Sequence, residues 1–397
     1  MHSESLLARR QQSMGSAYRL FYDEPVHIVR GEGVWLYDSE GRKYLDMYNN
    51  VPHVGHCHPR VVEAICEQAG KLNTHTRYLH ENVVTLAERL TAKLPDGLDT
   101  AMFCCTGSEA NELALRIARR CTGGTGIIVA DFSYHGNTQA IHEISTDTIP
   151  AADVPDYVVT VPAPDTYRGR HQGDDAGRRY AEYARAAIAT LEQRGIKLAA
   201  LVIDTIVSSS GVVAPPVGYL GAVAEIVRDA GGLFIADEVQ PGFGRTGRNF
   251  WGFEADGLVP DIVTMGKPMG NGHPLSAVVA RSELVREFAK HGRYFNTFGG
   301  NPVSCAAGLA VLDVIEDERL QQNALDVGTH LCDGLHTLAE THECIGDVRG
   351  SGLFLGVELV SSRSGRTPAT ELTADVVNRL RDQGVLTGSI GPADNIL

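Results

Sequence analysis

The chain has 397 residues, 43% of them hydrophobic and 21% charged, and 49 Asp and Glu against 35 Lys and Arg leave a net charge of −14. That is globular composition, which excludes a disordered, collagenous or coiled-coil chain, and the anionic surface disfavours nucleic acid. No apolar run nears the roughly 20 residues needed to cross a bilayer, no apolar signal core opens the chain, and the 8 cysteines show no C-x-x-C spacing. These features predict a soluble, cytoplasmic protein with reduced thiols, no membrane partner and roughly two to three domains.

In chain order, Val34 to Asp46 reads as a hairpin turning at Asp38–Gly41, followed by helices over Arg60–Leu72 and Val83–Leu94. Ala101–Cys105 reads as a strand, and Glu109 to Arg120 as a helix with Ala110, Leu113, Ala114, Ile117 and Ala118 on one face and Ser108 as its N-cap. The Pro-dense stretch Ile149–Pro164 reads as an excursion or linker, and Asp175–Gln193 as an Ala-rich helix. Three apolar runs then end in charged residues: Leu201–Ile203 at Asp204, Gly232–Ala236 at Asp237, and Asp261–Gly266 at Lys267. Between the first two, Leu220, Val223, Ala224 and Val227 mark a helix closed by Gly231 and Gly232. Short strands apolar on both faces belong in a covered parallel sheet. Ligands bind at the carboxyl ends of such strands, so Asp204, Asp237 and Lys267 are expected on one edge. After Asn301 come a helix over Val303–Glu316, a Gly-rich hinge over Asp347–Gly356 and a helix near Thr373–Gln383. The fold class is α/β. Residues 1–55 form the amino-terminal segment and part of a small domain, 56–300 a large domain, and 301–397 the rest of the small α+β domain, incomplete at its end.

A lysine ending one strand and an aspartate ending its neighbour suit pyridoxal phosphate: the lysine forms a Schiff base, and the carboxylate keeps the pyridine nitrogen protonated. The helix after Ser108 offers free N–H groups to the cofactor phosphate. Gly242–Gly247 satisfies G-x-G-x-x-G, but Pro241 precedes it and no apolar helix follows, so it is not a dinucleotide site. His53, His56, Cys57 and His58 match no zinc spacing, and no metal is expected.

Five strings occur in order: T-G-S-E-A-N (Thr106–Asn111), Y-H-G (Tyr134–Gly136), I-A-D-E-V-Q-P-G-F-G-R-T-G (Ile235–Gly247), T-M-G-K-P-M-G-N-G-H-P (Thr264–Pro274) and N-T-F-G-G-N-P (Asn296–Pro302). With them the chain resembles the class III aminotransferase family of fold-type I pyridoxal-phosphate enzymes. The resemblance implies a large domain with a mainly parallel, seven-stranded-type sheet covered by helices, plus a small α+β domain built from both chain ends. It implies that Lys267 carries the cofactor and that Asp237 faces the pyridine nitrogen. Gly107 and Ser108 would hold the cofactor phosphate, Tyr134 would stack on the ring beside His135, and Gln240 would lie near the phenolic oxygen. Thr297 would reach the cofactor phosphate of the neighbouring subunit in a homodimer with shared sites. Family members continue past the position of Asn395–Leu397 into another strand, a Pro-rich turn and a final helix.

Four further strings, Asn49–Pro59, Thr76–Asn82, Ala163–Gly169 and Arg366–Thr370, resemble the phospho-lyase branch of that family, whose members act on ethanolamine phosphate or phosphorylated hydroxylysine. Where the family usually has E-P-x-Q-G, this chain has Asp204-Thr205-Ile206-Val207-Ser208, and Gly266-Lys267-Pro268 replaces A-K-G. The branch implies a small phosphorylated amine as substrate. The Lys267 amine would remove a proton from the carbon bearing nitrogen, and phosphate would leave the adjacent carbon, giving acetaldehyde and ammonia from ethanolamine phosphate. Arg77 is the leading candidate for the leaving phosphate, with Arg19 and Arg366 behind it, and Asn50 for a hydrogen bond to substrate. The alternatives are an ω-amine or amino-acid aminotransferase and a phosphohydroxylysine phospho-lyase.

Overall fold

Apolar residues on both faces of short strands build the centre of the molecule, for which a computed structural model describes residues 3–397. Seven strands form one sheet in the order Thr100–Cys104, Ser276–Ala280, Ile262–Met265, Leu233–Asp237, Leu198–Asp204, Gly126–Ala130 and Val158–Val161. Ser276–Ala280 runs antiparallel to both neighbours, and the other pairings are parallel. Alternate residues feed two cores. Ile127 and Val129 pack with Leu113, Ala114 and Ile117 of the Gly107–Thr122 helix. Ile128 and Ala130 belong to the opposite core with Tyr180, Ala184, Leu220 and Val223 from the helices Ala176–Gln193 and Tyr219–Asp229. Each fully buried aliphatic side chain contributes about 1.5–3 kcal/mol, so this two-sided burial holds the sheet edge that carries the site. The mixed α/β class and the seven-stranded sheet agree with the sequence reading.

The two chain ends meet in a second sheet, where Lys43–Asp46 pairs antiparallel with Trp35–Asp38 and parallel with Val385–Leu386. A third sheet joins Ile345–Ser351, Phe354–Ser362 and Thr367–Pro368. The helix Leu320–Thr341 lies on it through Cys332, Leu335 and Ala339.

Three local expectations are corrected, and one unexpected helix is added. Asp347–Gly356 is no hinge: Ser351 pairs with Phe354 across a tight turn in which Gly352 adopts φ +57°. A Cβ on Gly352 would come within 2.6 Å of the Arg245 carbonyl oxygen, so glycine there permits close packing rather than motion. Ile149–Pro164 is no linker, because Val158–Val161, a proline-free run between Pro155 and Pro162, is the outer strand of the large sheet. The cap of the Gly107–Thr122 helix is Thr106, not Ser108: the Thr106 hydroxyl accepts the Glu109 N–H and the Glu109 carboxylate accepts the Thr106 N–H. Finally, Leu320–Thr341 carried no helix expectation; it is a helix of 22 residues of which only Ala324 and Gly328 are buried, although Leu320, Ala324, Val327, Leu331, Leu335 and Leu338 recur three and four apart.

Candidate active site

Sheet register sets the first contacts. Asp204 lies directly opposite Asp237, and Asp237 opposite Thr264, so Lys267 leaves the sheet at the same edge. The Asp237 Oδ2 accepts His135 Nδ1 at 2.7 Å and Asn111 Nδ2 at 2.9 Å, and Oδ1 accepts the Val239 N–H at 3.1 Å. Asn111 is fixed in turn by the Thr264 hydroxyl, which donates to its Oδ1 at 2.6 Å. His135 is therefore a buried support beneath Asp237, and Tyr134, 39% exposed, stands at the rim. Adjacent in sequence, these two residues sit in different layers of the site.

Lys267 opens a short turn, Lys267–Gly270, and makes no hydrogen bond or ion pair among the described residues. Burial pushes its amine below the ordinary lysine range, while Asp237 and Asp204 oppose that shift. A desolvated amine with a reduced pKa is a competent nucleophile and base.

The amino end of the Gly107–Thr122 helix closes over this edge. A Cβ on Gly107 would meet Val239 Cγ2 at 3.1 Å, and one on Gly266 would meet the Gly107 nitrogen at 3.4 Å. A Cβ on Gly136 would stand 2.4 Å from Ser108 Oγ, itself pinned to Asn137 by two 3.0 Å hydrogen bonds. The backbone N–H groups of Gly107 and Ser108 are the leading pair of a helix and bond nothing among the described residues, which makes an anion seat.

On the other side, Gln240 Nε2 donates to Ser208 Oγ at 2.7 Å, and Asn50 Nδ2 donates to Gln240 Oε1 at 2.5 Å. The Ser208 hydroxyl donates to Asp204. The structure thus gathers Lys267, Asp237, His135, Gly107, Ser108, Gln240 and Asn50 around one sheet edge. It does not bring Arg77, Arg19, Arg366 or Thr297 there within one chain. The Arg77 guanidinium lies 4.0 Å over the Phe295 ring, and Arg77 and Thr297 are both exposed. Arg19 is exposed too, and the Arg366 guanidinium donates to the Tyr167 carbonyl. Sequence reasoning missed Asn111 and Ser208 as site residues. Asn111 ends T-G-S-E-A-N, and Ser208 ends the segment that departs from the family pattern, so both carried a usable signal.

The histidine-rich segment has separate partners. His53 bonds the Phe243 carbonyl at 2.7 Å and Arg245 at 2.9 Å, His56 bonds Asp46 at 2.7 Å, and His58 bonds Glu318 at 3.0 Å. Burial, reinforced by Arg245, holds His53 down at about 3, so its ring is neutral. Within Gly242–Gly247, Phe243 packs on Phe250 and Trp251, a structural role.

Glu238, next to Asp237, yields a pH prediction. It accepts the Thr205 hydroxyl at 2.6 Å and the N–H groups of Gly252 and Phe253 at 2.8 and 3.0 Å, yet burial pushes its carboxyl up from 4.5 to about 8. The folded chain then holds this proton to higher pH than the unfolded chain does. Its contribution to stability is full below about 4.5 and is lost as pH rises towards about 8. Glu238→Gln is expected to flatten the decline of unfolding free energy across that window in urea titrations. An unchanged slope would contradict the assignment.

The model of the family Aminotransferase class-III matches residues 21–397, and the chain belongs to that family. It is 46% identical over 399 residues to a Drosophila melanogaster protein named alanine–glyoxylate aminotransferase 2-like, covering 98% of this chain and 81% of the relative. It is 42% identical over 412 residues to a Caenorhabditis elegans protein named ethanolamine-phosphate phospho-lyase homolog 1, covering 99% and 88%. Among solved structures, a phospholyase from Arthrobacter in complex with phosphoethanolamine superposes with a TM-score of 0.94 at 45% identity, covering 98% of this chain and 93% of that one. The protein is a pyridoxal-phosphate enzyme of fold type I. Its residues fit the cofactor: an unpartnered amine on a half-buried lysine, a carboxylate braced by three donors, and an anion seat crowded enough to require glycine at Gly136.

Proposed function

We propose that the enzyme is a phospho-lyase that eliminates phosphate from ethanolamine phosphate, the enamine left behind then being hydrolysed by one water to acetaldehyde and ammonia. The likeness along 98% of the chain to a phospholyase that binds phosphoethanolamine carries this reading. The four branch-like strings, at Asn49–Pro59, Thr76–Asn82, Ala163–Gly169 and Arg366–Thr370, support it.

Bound pyridoxal phosphate supplies an electron sink conjugated with the substrate nitrogen. The chain's residues do the rest. The Lys267 amine takes the proton from the carbon bearing nitrogen. Asp237, held by His135 and Asn111, would keep a proton on the pyridine nitrogen. The Gly107 and Ser108 N–H groups would hold the cofactor phosphate, and Asn50 would orient the substrate. Phosphate then departs from the neighbouring carbon. Amino transfer would need Lys267 to return its proton to the cofactor side instead. A homodimer completes this reading: the exposed Arg77 and Thr297 of one subunit would serve the partner's site, Arg77 at the leaving phosphate.

The aminotransferase name of the Drosophila melanogaster relative supports the second reading, amino transfer to a keto acid. Product analysis by NMR separates the two. Holoenzyme given ethanolamine phosphate together with pyruvate is expected to form acetaldehyde and inorganic phosphate without alanine. Alanine with a phosphorylated aldehyde would overturn the proposal. Phosphorylated hydroxylysine in a parallel reaction ranks the two lyase substrates.

A further inference from the structure

A half-buried carboxyl that the reaction above leaves unused lies beside its lysine. Asp204 ends the strand next to that of Asp237, and the titratable groups facing it are Lys267, Asp237 and Glu238. Its Oδ1 accepts the Ile206 N–H at 3.1 Å, and its Oδ2 accepts both the Ser208 N–H at 3.0 Å and the Ser208 hydroxyl.

These contacts impose a direction. A serine has one hydroxyl proton. Once that proton is committed to Asp204, the Ser208 oxygen can only accept, so the amide facing it must present nitrogen. Gln240 does so, with Nε2 at 2.7 Å from Ser208 Oγ. Its Oε1 then points the other way and accepts Asn50 Nδ2 at 2.5 Å. Every donor in the series Asn50, Gln240, Ser208, Asp204 points towards the carboxylate. The two ends of an amide are nearly equal in shape, so packing alone does not choose the Gln240 orientation. The Asp204 oxygens at the end of the chain do, because both already face backbone N–H donors, from Ile206 and Ser208.

We propose that Asp204, acting through the Ser208 hydroxyl, is a positioning residue that locks the Gln240 amide with its second N–H, rather than its carbonyl, towards an anionic oxygen of the bound cofactor. The same lock leaves the Asn50 carbonyl as the free end of the chain. The segment from Asp204 to Ser208, where this chain departs from the family pattern, thereby gains a role. The inference rests on Lys267 as the cofactor lysine and holds for elimination and amino transfer alike.

The cofactor's own absorption reads the lock without turnover. An N–H donor on the cofactor oxygen withdraws electron density from it and keeps the pKa of the protonated Lys267–cofactor linkage low; a carbonyl in that place raises it. Ser208→Ala breaks the relay while leaving the Asp204 carboxyl in place. The pH midpoint of the visible absorption change in Ser208→Ala holoenzyme is expected to move up by about one unit, the scale of one net hydrogen bond. Gln240→Leu is expected to move it by a similar amount, and the double variant by no more than Gln240→Leu alone, because the two residues act in series. Ser208→Gly, which removes the same hydroxyl, gives an independent reading should the alanine variant misfold. An unmoved midpoint in the serine variants, or additive shifts in the double variant, would overturn the proposal. Since no substrate is present, failure here is distinct from failure of the phospho-lyase reading.

Discussion

Lys267→Ala is expected to lose turnover by at least about four orders of magnitude, since it removes both the covalent anchor and the base, and a positioned base alone contributes roughly 10²–10⁴-fold. The environment explains why no neighbour substitutes. Lys267 is half-buried, its pKa is pushed down by desolvation, and the charged groups acting on it are Asp237 and Asp204, neither of which can form an imine. Lys267→Arg should fail as well, because a guanidinium stays protonated and cannot accept the substrate proton. Borohydride reduction followed by mass spectrometry checks the anchor directly. Wild-type protein is expected to retain a reduced cofactor adduct on the peptide containing Lys267, and Lys267→Ala to retain none. A reduced adduct persisting in the alanine variant would place the anchor elsewhere.

Asp237→Asn carries the second largest expected effect, a fall in kcat on the order of a thousandfold, comparable with losing one preorganised electrostatic contact in an active site. An amide there cannot hold a positive pyridinium by charge. Its NH2 would also face a donor whichever way the amide sits: the Val239 N–H if the amide oxygen stays with His135 Nδ1 and Asn111 Nδ2, or those two side chains if it does not. At least one buried donor would lose its acceptor, a further cost of about 1–3 kcal/mol in stability. Steady-state kinetics with cofactor in excess checks the claim, and activity within tenfold of wild type would contradict it. His135→Gln should have a smaller effect of the same kind, since it removes a brace and leaves the carboxylate.

Much of this site was legible in the sequence, for a physical reason. Parallel strands covered on both faces are short and wholly apolar, so the charged residue that ends each one marks the carboxyl edge. Asp204, Asp237 and Lys267 were found in that way, and register then set Asp204 opposite Asp237. What stayed hidden depends on contacts between distant segments. His135 and Tyr134 are neighbours in the chain, yet the first supports Asp237 from below and the second stands at the rim. No periodicity encodes that division. The Thr106 cap was misread because Thr106 and Ser108 are both good capping residues, and Glu109 decides between them by closing the box with Thr106. Arg77 is a different case: its string points to substrate phosphate, and within one chain its guanidinium lies over the Phe295 ring. The Ser208 relay was invisible because its logic is the direction of a hydrogen bond.

The most direct test is phosphate release from purified holoenzyme and ethanolamine phosphate with no keto acid present, followed well past one equivalent per subunit. A phospho-lyase regenerates its starting form in every cycle, so phosphate and acetaldehyde are expected to accumulate together, in equal amounts, over many turnovers. If phosphate stays attached to the carbon product and the reaction halts after one equivalent until pyruvate is supplied, the enzyme is an aminotransferase and the phospho-lyase assignment is wrong.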